Sequence, residues 1–245
     1  MKHTLFILAI CLTIVSCKKE AKPNAQTIVD KAIEASGGEK YNNFELEFDF
    51  RNRHYRLVKN LGSYVYERQF MDSLDLIKDE LSNSGFKRYI NNELEDVPDS
   101  MAVKYTSSVN SVHYFIQLPF GLNDAAVNKT YIDLVTIKNK EYHKLKVTFA
   151  QEGGGEDFED VFVYWINAEN FKTEYIAYSY AEDDGLGLRF REAYNERFVK
   201  GLRFVDYNNY KPVNNNTDLL NLDVLFESGG LKLLSKIENE NIVVK

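Results

Sequence analysis

Cysteine is nearly absent from this 245-residue chain: there are two, Cys11 and Cys17. Both fall within the first seventeen residues, so the rest has no disulfide, no thiolate zinc site and no cysteine nucleophile. Basic blocks are missing as well. The 30 Lys and Arg against 37 Asp and Glu give a formal net charge of −7. Without clustered cations the sequence argues against a nucleic-acid partner, and against adhesion to anionic headgroups through a charge patch. Beyond the amino terminus no apolar stretch approaches the length of a spanning helix. No internal repeat is visible, and no G-x-S-x-G or H-E-x-x-H frame surrounds His54, His113 or His143.

What is present begins at the amino terminus. Met1-Lys2-His3 is a short basic start, Leu5 to Val15 is apolar except for Thr13, and Ser16-Cys17 closes the run. A basic start, an apolar run too short to span and small residues at its end make a secretory signal. The cysteine at the cleavage point resembles the bacterial lipobox, in which that cysteine is acylated and becomes the first residue. The alternative is an ordinary signal peptide with a chance cysteine. The expected organisation is a lipoprotein signal peptide at 1–16, a polar tether at 17–24 and a single domain at 25–245. Cys11 is then discarded and Cys17 carries lipid. Each buried methylene of palmitate or a similar chain contributes about 0.8 kcal/mol, so two or more chains anchor almost irreversibly. Lys18, rather than Asp, after the lipid site favours the outer membrane by analogy with lipoprotein sorting rules.

The body of the chain reads as strands. A first helix is expected after the tether, capped by Asn24 or Thr27, with Ile28, Val29, Ala32 and Ile33 on one stripe and Gly37-Gly38 as its stop. The period then changes to two. Phe44, Leu46, Phe48 and Phe50 alternate with Glu45, Glu47, Asp49 and Arg51, the pattern of a half-buried strand. Further strands are expected at 53–59, 63–70, 73–81, 86–91, 127–138, 141–150, 160–167, 172–180, 188–195, 197–206 and 231–238. Turn residues join them at Asn60-Leu61-Gly62, Asn83-Ser84-Gly85, Asn91-Asn92, Asn139-Lys140 and Asn195-Glu196. Such short, regular spacing means antiparallel hairpins and argues against a TIM barrel or Rossmann fold.

One helix interrupts the strands at 99–117, started by Pro98-Asp99 and ended by Pro119. Met101, Tyr105, Val109, Val112 and Ile116 recur along it every three or four residues. The Asn-rich segment 208–222 reads as a surface loop or a strap across the sheet. Val161 to Ile166 and Tyr175 to Tyr178 are apolar on both faces, and a strand of that kind must be covered on both. The fold class is therefore mainly β: a strongly curved antiparallel sheet or open half-barrel of about 11–12 strands, with two helices on its concave face.

Candidate sites follow from residue chemistry. Aromatics make up 13% of the chain, and Phe48, Phe50, Tyr64, Tyr66, Tyr164, Trp165, Tyr178 and Tyr180 lie on expected strands. They suit either the filling of a large sheet core or the wall of a cavity for amphiphiles. Glu152, Glu156, Asp157, Glu159 and Asp160 surround Gly153-Gly154-Gly155. Carboxylates on such a loop, Asp157 and Asp160 among them, meet a hard cation's need for oxygens, or form a solvated loop. Arg189 and Arg191 share one strand face, and Arg51 and Arg68 end or interrupt aromatic faces. They suit an anionic headgroup or a solvated outer face. A triad built from distant residues around one of the three histidines remains an alternative, because triads are spatial.

Several blocks resemble a family of uncharacterised lipoproteins of flavobacterial type: Ser107 to Val112, Leu118 to Asp124, Gly153-Gly154-Gly155 before Tyr164-Trp165, Arg189-Phe190-Arg191 and Gly230 to Ser235. That likeness implies no established activity. A more distant one is to the LolA/LolB-type lipoprotein carriers, open β-barrels with helices plugging a greasy face. It is carried by Asp30 to Gly38 running into a strand and by Val147-Thr148-Phe149, a loop, then Tyr164-Trp165-Ile166-Asn167. The anchor and the inserted helix depart from the soluble carrier, so the resemblance implies shape alone. The expected function is a membrane-anchored envelope lipoprotein, non-catalytic, binding a hydrophobic or amphiphilic molecule without a cofactor. An envelope hydrolase and a structural or partner-binding lipoprotein are the alternatives, and oligomeric state is left open.

Overall fold

The computed structural model describes residues 23–153, 158–182, 185–214 and 217–245. Helix α1 (Ala25–Ser36) opens at Asn24, whose Oδ1 accepts from the backbone N–H groups of Gln26 and Thr27 at 2.8 and 3.4 Å. This satisfies two donors that a first helical turn leaves unpaired. Asn24, not Thr27, is the cap. Gly37 ends the helix at φ 138°, and a Cβ there would stand 2.7 Å from Leu202, so only glycine fits.

A meander follows: β1 (Asn43–Phe50), β2 (Arg53–Asn60), β3 (Ser63–Asp72), β4 (Asp75–Ser82), β5 (Gly85–Ile90) and β6 (Glu93–Glu95). Helix α2 (Asp99–Ile116) leads to a second meander of β7 (Val127–Ile137), β8 (Lys140–Phe149), β9 (Val161–Asn167), β10 (Thr173–Glu182), β11 (Gly185–Val199) and β12 (Leu202–Pro212). A short helix α3 (Leu222–Glu227), β13 (Leu231–Ile237) and β14 (Glu240–Val244) complete the described chain. The turns Arg51-Asn52, Asn91-Asn92 and Lys138-Asn139 hold both central residues at positive φ, which matches the right-handed twist of hairpin strands.

The mainly β, open architecture expected from the sequence is present, and its strand count and division differ. Among the described residues, fourteen strands form two antiparallel sheets of seven, ordered β14-β1-β2-β3-β4-β5-β6 (sheet A) and β13-β12-β11-β10-β9-β8-β7 (sheet B). The carboxyl-terminal segment joins them, β13 pairing with β12 and β14 crossing over to β1. Asp206 pins this crossover: its Oδ1 accepts from the Asn239 N–H at 3.0 Å and from Arg197 Nη2 at 3.0 Å, and the same Nη2 donates to the Asn239 carbonyl at 2.6 Å. A shared core of Phe44, Leu46, Phe48, Leu202, Phe204 and Val244 closes the seam.

Two local expectations are corrected. Asn195-Glu196 is not a turn. β11 runs on to Val199, with a register shift between Tyr194 and Arg197 and Asn195 at φ 50°. A bulge absorbs the extra residue there, and the chain reverses at Lys200-Gly201, both at positive φ. The strap is also later than 208–222: β12 occupies the sequence to Pro212, and the covering segment is Leu219–Asn221 with α3.

Sheet B is covered on both faces, as its doubly apolar strands require. Its inner face packs Leu145, Val147, Phe162, Tyr164, Ile166 and Ile176 against Ile28, Val29, Ala32 and Ile33 of α1. Its outer face packs Val163, Trp165, Tyr175, Ala177 and Phe190 beneath Leu222 of the strap. Lys144 and Asp223 lock the strap down, with Nζ 3.0 and 2.9 Å from the two carboxylate oxygens. Lys144 also donates to the Leu220 carbonyl, and Trp165 Nε1 to Asp223 at 3.2 Å.

Candidate functional site

Helix α2 is held on the inner face of sheet A by polar groups that the meander brings into register. Arg68 on β3, Asp79 on β4 and Arg88 on β5 are cross-strand neighbours. Asp79, fully buried, accepts from Arg68 Nε and Nη2 at 3.0 and 2.6 Å and from Arg88 Nε and Nη2 at 2.6 and 3.0 Å. Arg68 Nη1 then donates to Ser108 Oγ of α2 at 2.7 Å, and the Arg88 guanidinium lies 3.6 Å from the Tyr105 ring. One turn on, His113 stacks on Tyr66 at 4.5 Å and meets Phe48 and Tyr55 edge-on. Its ring nitrogens stand 3.0 Å from the Val109 carbonyl and 3.1 Å from the Arg56 carbonyl. Burial pushes its pKa down to about 4, so the ring is neutral and donates to one of the two carbonyls.

Fixed in this way, α2 presents its other side to sheet B across a cleft of about 970 Å³, a volume in the range of small-molecule sites. From α2 come Ser107, Ser108, Asn110, Ser111, Val112 and Phe115; from sheet B come Phe149, Phe162, Tyr178, Tyr180, Arg191, Tyr207 and Asn209. Phe50, Arg51, Arg53 and Tyr55 contribute from the β1–β2 hairpin, and Glu159 and Asp160 from the chain before β9. The aromatic wall is continuous. Phe162 stacks on Tyr178 at 5.3 Å, Phe115 lies 5.2 Å from Tyr178, and Phe149 meets Phe162 edge-on at 5.7 Å.

Alternation along the strands distributes the eight aromatics singled out from the sequence. Phe50, Tyr178 and Tyr180 line the cleft. Tyr164 lies one layer behind it, its hydroxyl 2.7 Å from that of Tyr114, and burial pushes both phenols up. Phe48 and Tyr66 are spent on His113, and Tyr64 packs on Tyr66 at 4.6 Å. Trp165 faces away from the cleft: it is fully buried on the outer face of sheet B, beneath the strap. The arginines also separate. Arg68 is buried in the Asp79 cluster. Arg191 is buried on the inner face of sheet B, where a solvated outer face was the alternative. Strand parity with Tyr178 carries that signal, since Tyr178 and Arg189 are paired and Arg191 lies two residues on.

The remaining candidates are dispersed. His54 Nδ1 lies 2.8 Å from Asp49 Oδ1, which Asn241 supports through Oδ2 at 2.8 Å. This pair borders a second depression of about 650 Å³, whose lining among the described residues includes Glu238 and Glu240 but no hydroxyl or thiol side chain. His143 stacks on Phe171, and burial lowers its pKa. Of the acidic loop, Asp160 lies at the cleft, whereas Glu156 and Asp157 fall outside the described residues. Among the described residues no group of three or more His, Cys, Asp or Glu is placed to hold a metal ion, and no helix is long and apolar enough to cross a membrane. Cys17 lies outside the described residues.

Comparison with solved structures places the fold. The chain is similar to a LolA superfamily protein from Nitrosomonas europaea, with a TM-score of 0.50 and 11% identity over 89% of this chain and 92% of that one. Weaker similarity extends to a domain described as an outer membrane lipoprotein-sorting protein from Vibrio parahaemolyticus (TM-score 0.44, 8% identity, 91% and 94% covered). It extends also to the lipoprotein LppX of Mycobacterium tuberculosis (TM-score 0.30, 8% identity, 66% and 90% covered). At these identities the likeness concerns fold, and it shows a LolA-type architecture. No curated protein matches the sequence. A family model matches residues 2–239, and the chain belongs to that family, DUF6503, a family of unknown function.

Proposed function

We propose that this protein is a lipid-anchored component of a bacterial envelope that holds a hydrophobic or amphiphilic molecule between α2 and sheet B. The observation that carries the reading is the cleft of about 970 Å³ with its wall of Phe115, Phe149, Phe162 and Tyr178. Aromatic faces give apolar contact, and the serines and Asn110 of α2 give hydrogen-bonding capacity on the opposite side, a combination that suits an amphiphile. The LolA-type fold is compatible with such a role and adds no ligand identity.

Export and anchoring rest on the sequence: the basic start, the apolar run Leu5 to Val15 and Cys17 as the acylation site. Acyl chains at Cys17, the tether 17–24 and the domain 25–245 make a membrane-tethered binding protein, and Lys18 favours the outer membrane. Native mass spectrometry of the full chain tests the binding reading. A population heavier by one lipid-sized molecule, beyond the covalent anchor, is expected. A chain that carries no such molecule and gains none from added lipid overturns it. Cys17→Ser tests the anchor separately: the protein should leave the membrane fraction, and unchanged membrane association would exclude acylation as its basis.

A further inference from the structure

Two residues that line the cleft each hold a buried polar atom with no hydrogen-bond partner among the described residues. Arg191 on β11 and Asn209 on β12 are register partners, 8% and 7% exposed, and both line the cleft. Arg191 Nη2 donates to the Tyr178 hydroxyl at 2.7 Å, and its guanidinium lies 3.7 Å from the centre of the Phe115 ring, but its Nε has no partner. Asn209 Nδ2 donates to Ser235 Oγ at 3.1 Å, leaving Oδ1 unpaired. Among the described residues no carboxylate forms an ion pair with Arg191, whereas the other buried cations each have one. Arg68 meets Asp79, Lys144 meets Asp223 and Arg203 meets Glu196. A buried charge without a counter-charge is costly, so its retention in a cleft calls for an anion from outside.

We propose that Arg191 and Asn209 form the headgroup site for an acidic amphiphile, with a carboxylate or phosphate on Arg191 and the apolar chain along Phe115, Phe162 and Tyr178. This rests on the cleft being a ligand site. A planar guanidinium is a fork that matches either acid, and the Nε–H of this one is buried and without a partner among the described residues. Asn209 Oδ1 asks for a donor, which a phosphate monoanion supplies and a carboxylate does not. Glu159 and Asp160 at the cleft oppose small free anions, and the aromatic wall gives an amphiphile the apolar contact to outweigh that.

Displacement of a fluorescent fatty-acid probe from the full chain tests the proposal, with oleate, oleoyl lysophosphatidate and monooleoylglycerol as competitors below their micelle concentrations. Losing one charge-assisted hydrogen bond corresponds to about ten-fold in affinity. Oleate, lysophosphatidate or both should therefore compete at least ten-fold better than the neutral glyceride. A further advantage of lysophosphatidate over oleate that Asn209→Leu removes would identify phosphate as the source of the acid, and its absence would identify carboxylate. Arg191→Met should abolish the preference for acids, so that all three competitors act alike, and Arg191→Lys should keep part of it. Equal competition by all three in the wild type overturns the headgroup proposal and spares the cleft reading; that comparison needs no variant to fold. Failure of probe and competitors to bind overturns both.

Discussion

Two cations are buried on opposite faces of sheet B, and they are treated differently. Lys144, on the outer face, meets both oxygens of Asp223, the Leu220 carbonyl and the Trp165 ring. Arg191, on the inner face, meets one phenol, three aromatic rings and no carboxylate among the described residues. The first arrangement satisfies its charge with groups of the same chain, and what it achieves is closure of the strap over the outer core. The second leaves its charge exposed only to a cleft. Burial and charge are alike in the two, so the difference lies in the counter-charge. A completed ion pair marks the part of the sheet that holds the fold, and the incomplete one lies in the part proposed to meet a ligand.

The comparison makes graded demands on stability. Asp223→Ala leaves Lys144 buried and unpaired and removes a partner of Trp165, so urea unfolding should show a loss of about 3–5 kcal/mol. Replacing both members, Lys144→Met with Asp223→Leu, should recover most of it, because the penalty belongs to the orphaned charge. If the single variant is neutral, the strap is not held by this pair.

His113 supplies a buried group that has given up its charge. Its folded pKa, about 4, lies below the ordinary 6.5 because of burial. A histidine depressed in the folded state favours the neutral form, so its contribution is complete above pH 6.5 and is lost as pH falls toward 4. The shift corresponds to about 3 kcal/mol over that window. His113→Leu should flatten the slope of stability between pH 6.5 and 4, and an unchanged slope would assign it to other groups.

Arg191→Met should behave opposite to Asp223→Ala. Removing an unpaired charge offsets the lost ring contacts and the bond to Tyr178, so the ligand-free protein should stay within about 1 kcal/mol of wild type. A loss of several kcal/mol would make Arg191 a structural residue like Lys144. Smallest of all is Lys138→Ala. The ion pair with Glu192 at 2.5 Å leaves Lys138 54% exposed, and exposed pairs contribute about 0–1 kcal/mol. Chemical denaturation of this variant calibrates the others.

The sequence made the local elements legible because hairpins are local. Period-two alternation from Phe44 to Phe50, the Asn and Gly turns, and the periodicity of α2 between Pro98 and Pro119 all write their structure into neighbouring residues. Apolar strands at Val161 and Tyr175 even required two covers, and α1 and the strap provide them. What stayed hidden depends on contacts distant in sequence. The crossing of Glu240–Val244 to β1 is fixed by Asp206 and Arg197, far from it in sequence. The bulge at Asn195 uses the same residue type as a turn, and it takes β12 to decide between them.

The site was half legible for the same reason. Aromatic strands pointed to an inner wall, but a strand buried on both faces places Tyr164 and Trp165 on opposite sides, and the strap alone decides which side is sealed. Trp165 therefore belongs to the outer core, while Tyr178 faces the cleft. Arg191 was visible as one of two arginines on a shared strand face. Its want of a carboxylate is a property of the assembled cleft, and no spacing in the sequence records it.

The proposal that the cleft holds an amphiphile is tested most directly by where a bound amphiphile lies. A photoreactive oleate carrying a diazirine in its chain, irradiated with the full protein and located by peptide mass spectrometry, should label peptides containing Phe115, Phe149, Phe162 and Tyr178. Unlabelled oleate should suppress that labelling. Label confined to the exposed apolar residues Leu233 and Leu234 on β13, with the cleft peptides unmodified, would contradict the account.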